Sequence, residues 1–242
     1  MSWISLKMNV MNMLGSILVL PLVATFVNPL WGQQAGNDQS ELKTSQPSGV
    51  KYYVAKPKGW TPDKKWPILV AIDGAGHDFP GCCNRFVKAR GDRPFIVVVP
   101  CVSSNGNDPA EFQAVISIVE EVQKDLAGRP KFFITGFSAG GHLTWQFVFN
   151  RPDLISGAAP AAANFRSRGI EAVSNAKERI DLPIQGFNGE KDNPVINSQW
   201  DDAEQLARKN GYQNIAHTLS KEAGHTPFAS DVVNYFATLL DR

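Results

Sequence analysis

Short, nearly continuous apolar runs punctuate the middle of the chain: Trp66–Ile72 (WPILVAI), Phe95–Pro100 (FIVVVP) and Lys131–Thr135 (KFFIT). A strand wetted on one face alternates apolar with polar residues. Runs without alternation are those of strands buried on both faces, as in a parallel sheet. Between the second and third runs, Phe112, Val115, Ile116, Val119, Val122 and Leu126 recur at helical spacing, which predicts an amphipathic helix. Its start is marked by Asp108 as N-cap, Pro109 at the first helical position and Glu111 completing a capping box. The pattern further predicts a first strand at Val50–Ala55, a helix from about Ser138 to Phe149, a strand near Leu154–Ala159 and a helix within Phe165–Glu178. A strand at Pro183–Phe187, a helix over Ser198–Lys209, a strand at Ile215–Leu219 and a final helix at Pro227–Leu240 complete it. Such alternation predicts an α/β fold, a mostly parallel central sheet with helices on both faces. No internal repeat and no second-domain boundary interrupts it.

The N-terminus follows a different rule. Lys7 is the only charge among the first 37 residues, and Met13–Val27 is an apolar run of the length of a signal-peptide hydrophobic region. All four methionines fall at or before position 13. Residues 1–32 are therefore read as a signal peptide, cleaved somewhere between Ala24 and Ala35, and a secreted or periplasmic location is expected. The alternative is an uncleaved anchor. Pro21, Asn28 and Pro29 leave the run short of the roughly 20 apolar residues a span prefers, so no stable membrane span is expected after processing. Residues 33–49 are polar and small, a linker or mobile arm, and residues 50–242 form the one folded domain.

Composition narrows the function. With 43% hydrophobic residues among 242, the chain can bury a sizeable core, which excludes disorder as its main description. The charges balance, 24 basic against 23 acidic, so the clustered cationic excess that nucleic-acid binding requires is missing. Three cysteines with no Cys-x-x-Cys spacing fit neither a disulfide-rich scaffold nor a zinc site.

Candidate chemistry lies at the strand-to-helix turns. Gly136-Phe137-Ser138-Ala139-Gly140 follows the strand KFFIT and opens a helix, the context in which Gly-x-Ser-x-Gly forms a nucleophile elbow. A serine nucleophile needs a base, and the base needs a carboxylate to hold its tautomer. Of the four histidines, His217 lies inside a strand, His142 in the elbow helix and His77 after the first apolar run. His225 stands in a loop before the final helix and is the expected base. Asp192, in the turn after Pro183–Phe187, is the expected acid, with Glu190 as its rival two residues away. Asp73-Gly74-Ala75-Gly76-His77 follows the strand WPILVAI and is placed to form an oxyanion hole. Its backbone donors would be the N–H of Ala139 and that of Ala75 or Gly76.

Read together, AIDGAG, FFITGFSAGGH, FNGEKDNPV and AGHTPF resemble the α/β-hydrolase superfamily. The nearer likeness is to small secreted esterases related to polyhydroxybutyrate depolymerases and feruloyl esterases. The resemblance covers about residues 50–240, and the chain order Ser138, Asp192, His225 is the order of that fold. It departs from many relatives in having Asp73-Gly74 where they show His-Gly. The resemblance implies ester hydrolysis through an acyl-enzyme, with Ser138, His225 and Asp192 as catalytic residues. The short stretch between the strands near Ala159 and Pro183 leaves no room for a lid domain. An open site suited to bulky or polymeric esters is expected. A prolyl-peptidase-like serine peptidase and an inactive hydrolase-fold binding protein are the alternatives. No metal or organic cofactor is implied, since His-Glu-x-x-His, a Walker loop and a complete Gly-x-Gly-x-x-Gly are all missing.

Two expectations concern other side chains. Trp200 and Phe79 are candidates to line the substrate groove. In an exported chain thiols tend to pair, so a disulfide is expected from Cys101 to Cys82 or Cys83, worth roughly 3 kcal/mol by chain entropy. A strained vicinal Cys82–Cys83 bridge is the alternative.

Overall fold

The computed structural model describes residues 39–103, 106–171 and 177–240. Eight strands form one sheet: β1 (Glu41–Thr44), β2 (Lys51–Ala55), β3 (Trp66–Ile72), β4 (Ile96–Pro100), β5 (Gly128–Phe137), β6 (Ile155–Ala161), β7 (Ile184–Gly189) and β8 (Ile215–Ser220). Their order is β1-β2-β4-β3-β5-β6-β7-β8. The β1–β2 and β2–β4 pairs are antiparallel, and every pair from β4–β3 to β7–β8 is parallel. The expected mostly parallel sheet is present.

Strand periodicity sorts the core into two layers. Ile68, Val70 and Ile72 of β3 face one side, together with helices α2 (Pro109–Asp125), α3 (Gly140–Asn150) and α5 (Pro194–Lys209). Leu69 and Ala71 face the other, against α1 (Phe79–Arg90) and α6 (Ala229–Ala237). Every residue of β3 is buried, which is why its sequence shows no alternation. At the start of α2, Asp108 accepts from the N–H of Ala110 at 2.8 Å, the N-cap the sequence predicts.

Several expectations need correction. The segment read as a linker holds β1, whose four residues pair with β2 in register from Glu41↔Val54 to Thr44↔Lys51. Backbone hydrogen bonding to an open edge, not side-chain burial, makes this strand, so ELKT carries no apolar signature. A helix absent from the sequence reading, α1, follows the Asp73–His77 turn. Asp78 caps it by accepting from Gly81 N–H at 3.1 Å. The helix expected within Phe165–Glu178 is not present over 165–171; residues 172–176 lie outside the described residues, and α4 (Glu178–Asp181) is a single turn. Among the described residues, the segment between β6 and β7 carries no inserted lid domain.

The disulfide expectation also fails, since Cys82, Cys83 and Cys101 are free thiols. Cys82 and Cys83 are not loop residues but core side chains of α1, 2% and 0% exposed. Adjacent helical positions diverge by about 100°, which keeps these two apart. Cys83 is near enough to Cys101 for charge on one to disfavour charge on the other, yet no bond joins them.

Candidate active site

The elbow is built by steric necessity. Ser138, between β5 and α3, has φ +51°, a left-handed conformation that costs a non-glycine residue about 1–2 kcal/mol. Its backbone is held by three hydrogen bonds: Ser138 N–H to Ala161 O at 3.2 Å, and Asn164 and Gly141 N–H to Ser138 O at 2.8 and 3.0 Å. The flanking glycines permit close approach. A Cβ on Gly136 would lie 2.3 Å from the carbonyl oxygen of Gly140, and one on Gly140 2.3 Å from that of Asp73.

His225 stands in the loop between β8 and α6, its ring 4.7 Å from that of Phe137, the residue before Ser138. Its Nδ1 meets both carboxylate oxygens of Asp192, at 2.9 and 3.0 Å. The Asp192 side chain is 1% exposed and that of His225 39%, so the carboxylate is shielded while the imidazole reaches solvent. With Nδ1–H donating to Asp192, Nε2 is left as the free acceptor. Glu190 is exposed, its backbone N–H donates to Ser220 O at 3.0 Å, and among the described residues no hydrogen-bond partner meets its carboxylate. The structure pairs His225 with Asp192 and leaves Glu190 in water.

A network missed in the sequence holds the Asp192 turn. Asn193 N–H donates to Asp192 Oδ1 at 2.6 Å. Asn197 donates to the carbonyl of Gly189 at 3.2 Å and accepts from Asn188 at 2.9 Å, and His217 Nε2 contacts Asn188 Oδ1 at 3.2 Å. The only sequence signal for it was the density of asparagines in FNGEKDNPVIN.

The Gly74–His77 segment is a β-turn closed by His77 N–H on Gly74 O at 3.2 Å. It abuts the elbow: a Cβ on Gly74 would lie 3.4 Å from Ser138 Cβ. Among the described residues, no backbone acceptor meets the N–H of Ala75, Gly76 or Ala139. These are the three donors the sequence proposes. Phe79 is half-buried at the start of α1 and stacks on exposed His77 at 5.7 Å.

Trp200 is a correction. Because α5 begins at Pro194, Trp200 falls on its inner face, 3% exposed. It packs on Trp145 at 5.7 Å, stacks on His217 at 4.5 Å and donates its indole N–H to Glu204 at 2.9 Å. It is core, not substrate groove. His142, on α3, is 3% exposed. Burial first and the Arg166 guanidinium second lower its pKa below the ordinary 6.5, with a partly opposing contribution from the Arg168 backbone. His217 is lowered as well by burial, against the pull of Glu204 and Asp201. Among the described residues, no three His, Cys, Asp or Glu side chains converge as a metal site requires. No described helix is long and apolar enough to cross a membrane, and the apolar run 13–27 lies outside the described residues.

The sheet order and the elbow at the C-terminal end of β5 define an α/β-hydrolase fold. Within it, the chain belongs to the dienelactone hydrolase family, whose profile matches residues 107–235, more than half its length. Solved structures agree on the fold. A thermostable esterase superposes with TM-score 0.64 at 22% identity over 84% of this chain, which spans 62% of that esterase. Poly(aspartic acid) hydrolase-1 from Sphingomonas sp. KT-1 gives TM-score 0.64 at 19% identity, over 84% of this chain and 98% of that one. A feruloyl esterase module from Clostridium thermocellum, complexed with sinapinate, gives 0.62 at 16% identity, over 86% and 88%. No curated protein matches the chain in sequence.

Proposed function

We propose that this protein is an exported serine esterase that cleaves carboxylic esters through an acyl-enzyme on Ser138, His225 and Asp192. The observation that carries this reading is the buried Asp192 carboxylate meeting His225 Nδ1 at 2.9 and 3.0 Å, beside a serine held on a left-handed turn. Ser138 Oγ attacks the ester carbonyl as His225 Nε2 takes its proton. The negative charge that develops on the carbonyl oxygen is met by the N–H of Ala139 and of Ala75 or Gly76. His225 then returns the proton to the departing alcohol. Water attacks the acyl-enzyme by the same route in reverse, and Asp192 stabilises the imidazolium in both steps.

The short β6–β7 segment supports an open cleft and bulky or polymeric esters. The apolar run Met13–Val27 supports export, and N-terminal sequencing of protein recovered outside the cytoplasm tests it. The chemistry is tested by fluorophosphonate labelling and p-nitrophenyl ester hydrolysis, with both expected in the parent and both lost in Ser138→Ala. A folded parent that neither labels nor turns over would overturn the reading in favour of a binding protein.

A further inference from the structure

The hydrogen bonds behind the acid turn have a direction, and the backbone sets it. The carbonyl of Gly189, the last residue of β7, accepts from Asp192 N–H at 3.1 Å and from the Asn197 side chain at 3.2 Å. A carbonyl oxygen only accepts, so Asn197 must present its Nδ2 there and turn its Oδ1 the other way. That Oδ1 meets the Asn188 side chain at 2.9 Å, so Asn188 must present its own Nδ2. The Oδ1 of Asn188 is then left facing His217 Nε2 at 3.2 Å. An acceptor there requires a donor opposite, so Nε2 is the nitrogen of His217 that carries the proton. The result is a one-way relay from His217 on β8 through Asn188 on β7 and Asn197 on α5 to the Gly189 carbonyl. Turning over either amide would set oxygen against oxygen.

Gly189 is where the relay meets the acid and the base together. Its carbonyl holds the N–H of Asp192. Its Cα packs so closely on the loop before His225 that a Cβ would lie 2.2 Å from the oxygen of Ala223 and 2.5 Å from that of Gly224. Asn188 and Gly189 are both buried, where a polar group that loses its partner bears the full cost of its desolvation. We propose that His217 is a positioning residue: through Asn188 and Asn197 it fixes the Gly189 carbonyl, and so the orientation in which the Asp192 carboxylate meets His225 Nδ1. The inference rests on the serine-esterase reading above. His217 also stacks on buried Trp200 at 4.5 Å, and packing is therefore the competing account of its presence. The two accounts differ in what they require of the side chain. Packing asks for apolar area, whereas the relay asks for a donor at the place of Nε2.

The test begins with fluorophosphonate labelling of the parent, which reports on the esterase reading by itself. A parent that does not label removes that reading and the relay with it. In a parent that labels, kcat and KM are measured separately on a p-nitrophenyl ester for His217→Leu, His217→Gln and Asn197→Leu, with circular dichroism as the check on folding. His217→Leu should lower kcat by roughly tenfold, the order of one lost hydrogen bond, and leave KM within about twofold. KM is spared because His225 serves acylation and deacylation alike. His217→Gln should restore most of kcat, since its amide nitrogen lies as many bonds from Cα as Nε2 and can donate to Asn188. Asn197→Leu, which frees the Gly189 carbonyl directly, should cost more, toward roughly 10²-fold in kcat. Packing on Trp200 alone would give the reverse order at His217, because leucine fills an apolar contact better than glutamine. Parent-like kcat in His217→Leu, equal loss in the leucine and glutamine variants, or a loss carried in KM would overturn the relay and leave the esterase standing. Should His217→Leu fail to fold, Asn197→Leu carries the test, and parent-like kcat there would overturn the relay equally.

Discussion

The backbone N–H of Lys191 donates to the carbonyl of Ala223 at 2.8 Å. This single bond ties the turn that carries Asp192 to the loop that carries His225. An exposed ion pair from Lys191 to Glu222 lies beside it, and Glu190 N–H on Ser220 O adds a second main-chain tie at 3.0 Å. The separation of acid and base is thus set by backbone bonds that survive side-chain substitution. That makes the acid assignment open to clean mutagenesis.

Asp192→Asn should keep the fold and lose activity, because an amide can no longer hold His225 with Nδ1 protonated. In serine proteases the equivalent change costs on the order of 10⁴ in kcat. Glu190→Gln, at an exposed position, should change kcat/KM by less than about twofold. Ester kinetics with circular dichroism as a check on folding decide the matter. Near-parent activity in a folded Asp192→Asn protein beside a dead Glu190→Gln would transfer the acid role to Glu190.

The elbow stores backbone strain that a glycine would release. Ser138→Gly should be more stable than Ser138→Ala by about 1 kcal/mol, since only the alanine keeps a Cβ in the left-handed region. Urea unfolding of both variants measures the difference. Equal midpoints would mean that Ser138 does not hold φ +51° in solution.

Acid should weaken the fold through His142. Its folded pKa lies below the ordinary 6.5. Between the two values the unfolded chain binds more protons than the folded one, so unfolding free energy rises with pH. The stability is fully present above about pH 6.5 and is lost as the pH falls toward the folded pKa. His217, lowered in the same direction by partial burial but with more of its surface in solvent than His142, adds a smaller effect of the same sign. Thermal midpoints from pH 7.5 down to 5 should fall, and the decline should be shallower in His142→Gln. An unchanged slope in that variant would refute the assignment.

Burial pushes the thiol of Cys83 up to about 11 and raises those of Cys82 and Cys101 as well. The thiolate is the reactive form, so Cys82 and Cys83 should resist alkylation in the native protein. Three thiols should titrate once the chain is unfolded without reductant. A single titratable thiol would instead reveal a bridge.

What the chain determined by itself was whatever depends on local pattern. β3, β4 and the inner half of β5, from Phe132 to Ile134, were visible because strand segments covered on both faces are apolar without alternation. The start of α2 was visible because a cap and a proline act within one turn. The elbow was visible because Gly136 and Gly140 answer contacts that only glycine can make. The order of serine, aspartate and histidine then followed from where the turns fell. Tertiary structure decided the rest. β1 exists because β2 offered an unpaired edge, which no side chain of ELKT announces. α1 was hidden by Pro80 and Gly81 at its start, and its cap on Gly81 comes from Asp78, in the turn beside the elbow. Trp200 could be assigned to groove or core only once α5 had a starting residue to set its phase. Asp192 and Glu190 differ by two positions and one methylene, so no local rule separates them. The turn held by Asn188, Asn197 and Ala223 buries one carboxylate against His225 and leaves the other in water. Burial and partnership are properties of the whole packed chain, and they appear only when distant segments meet.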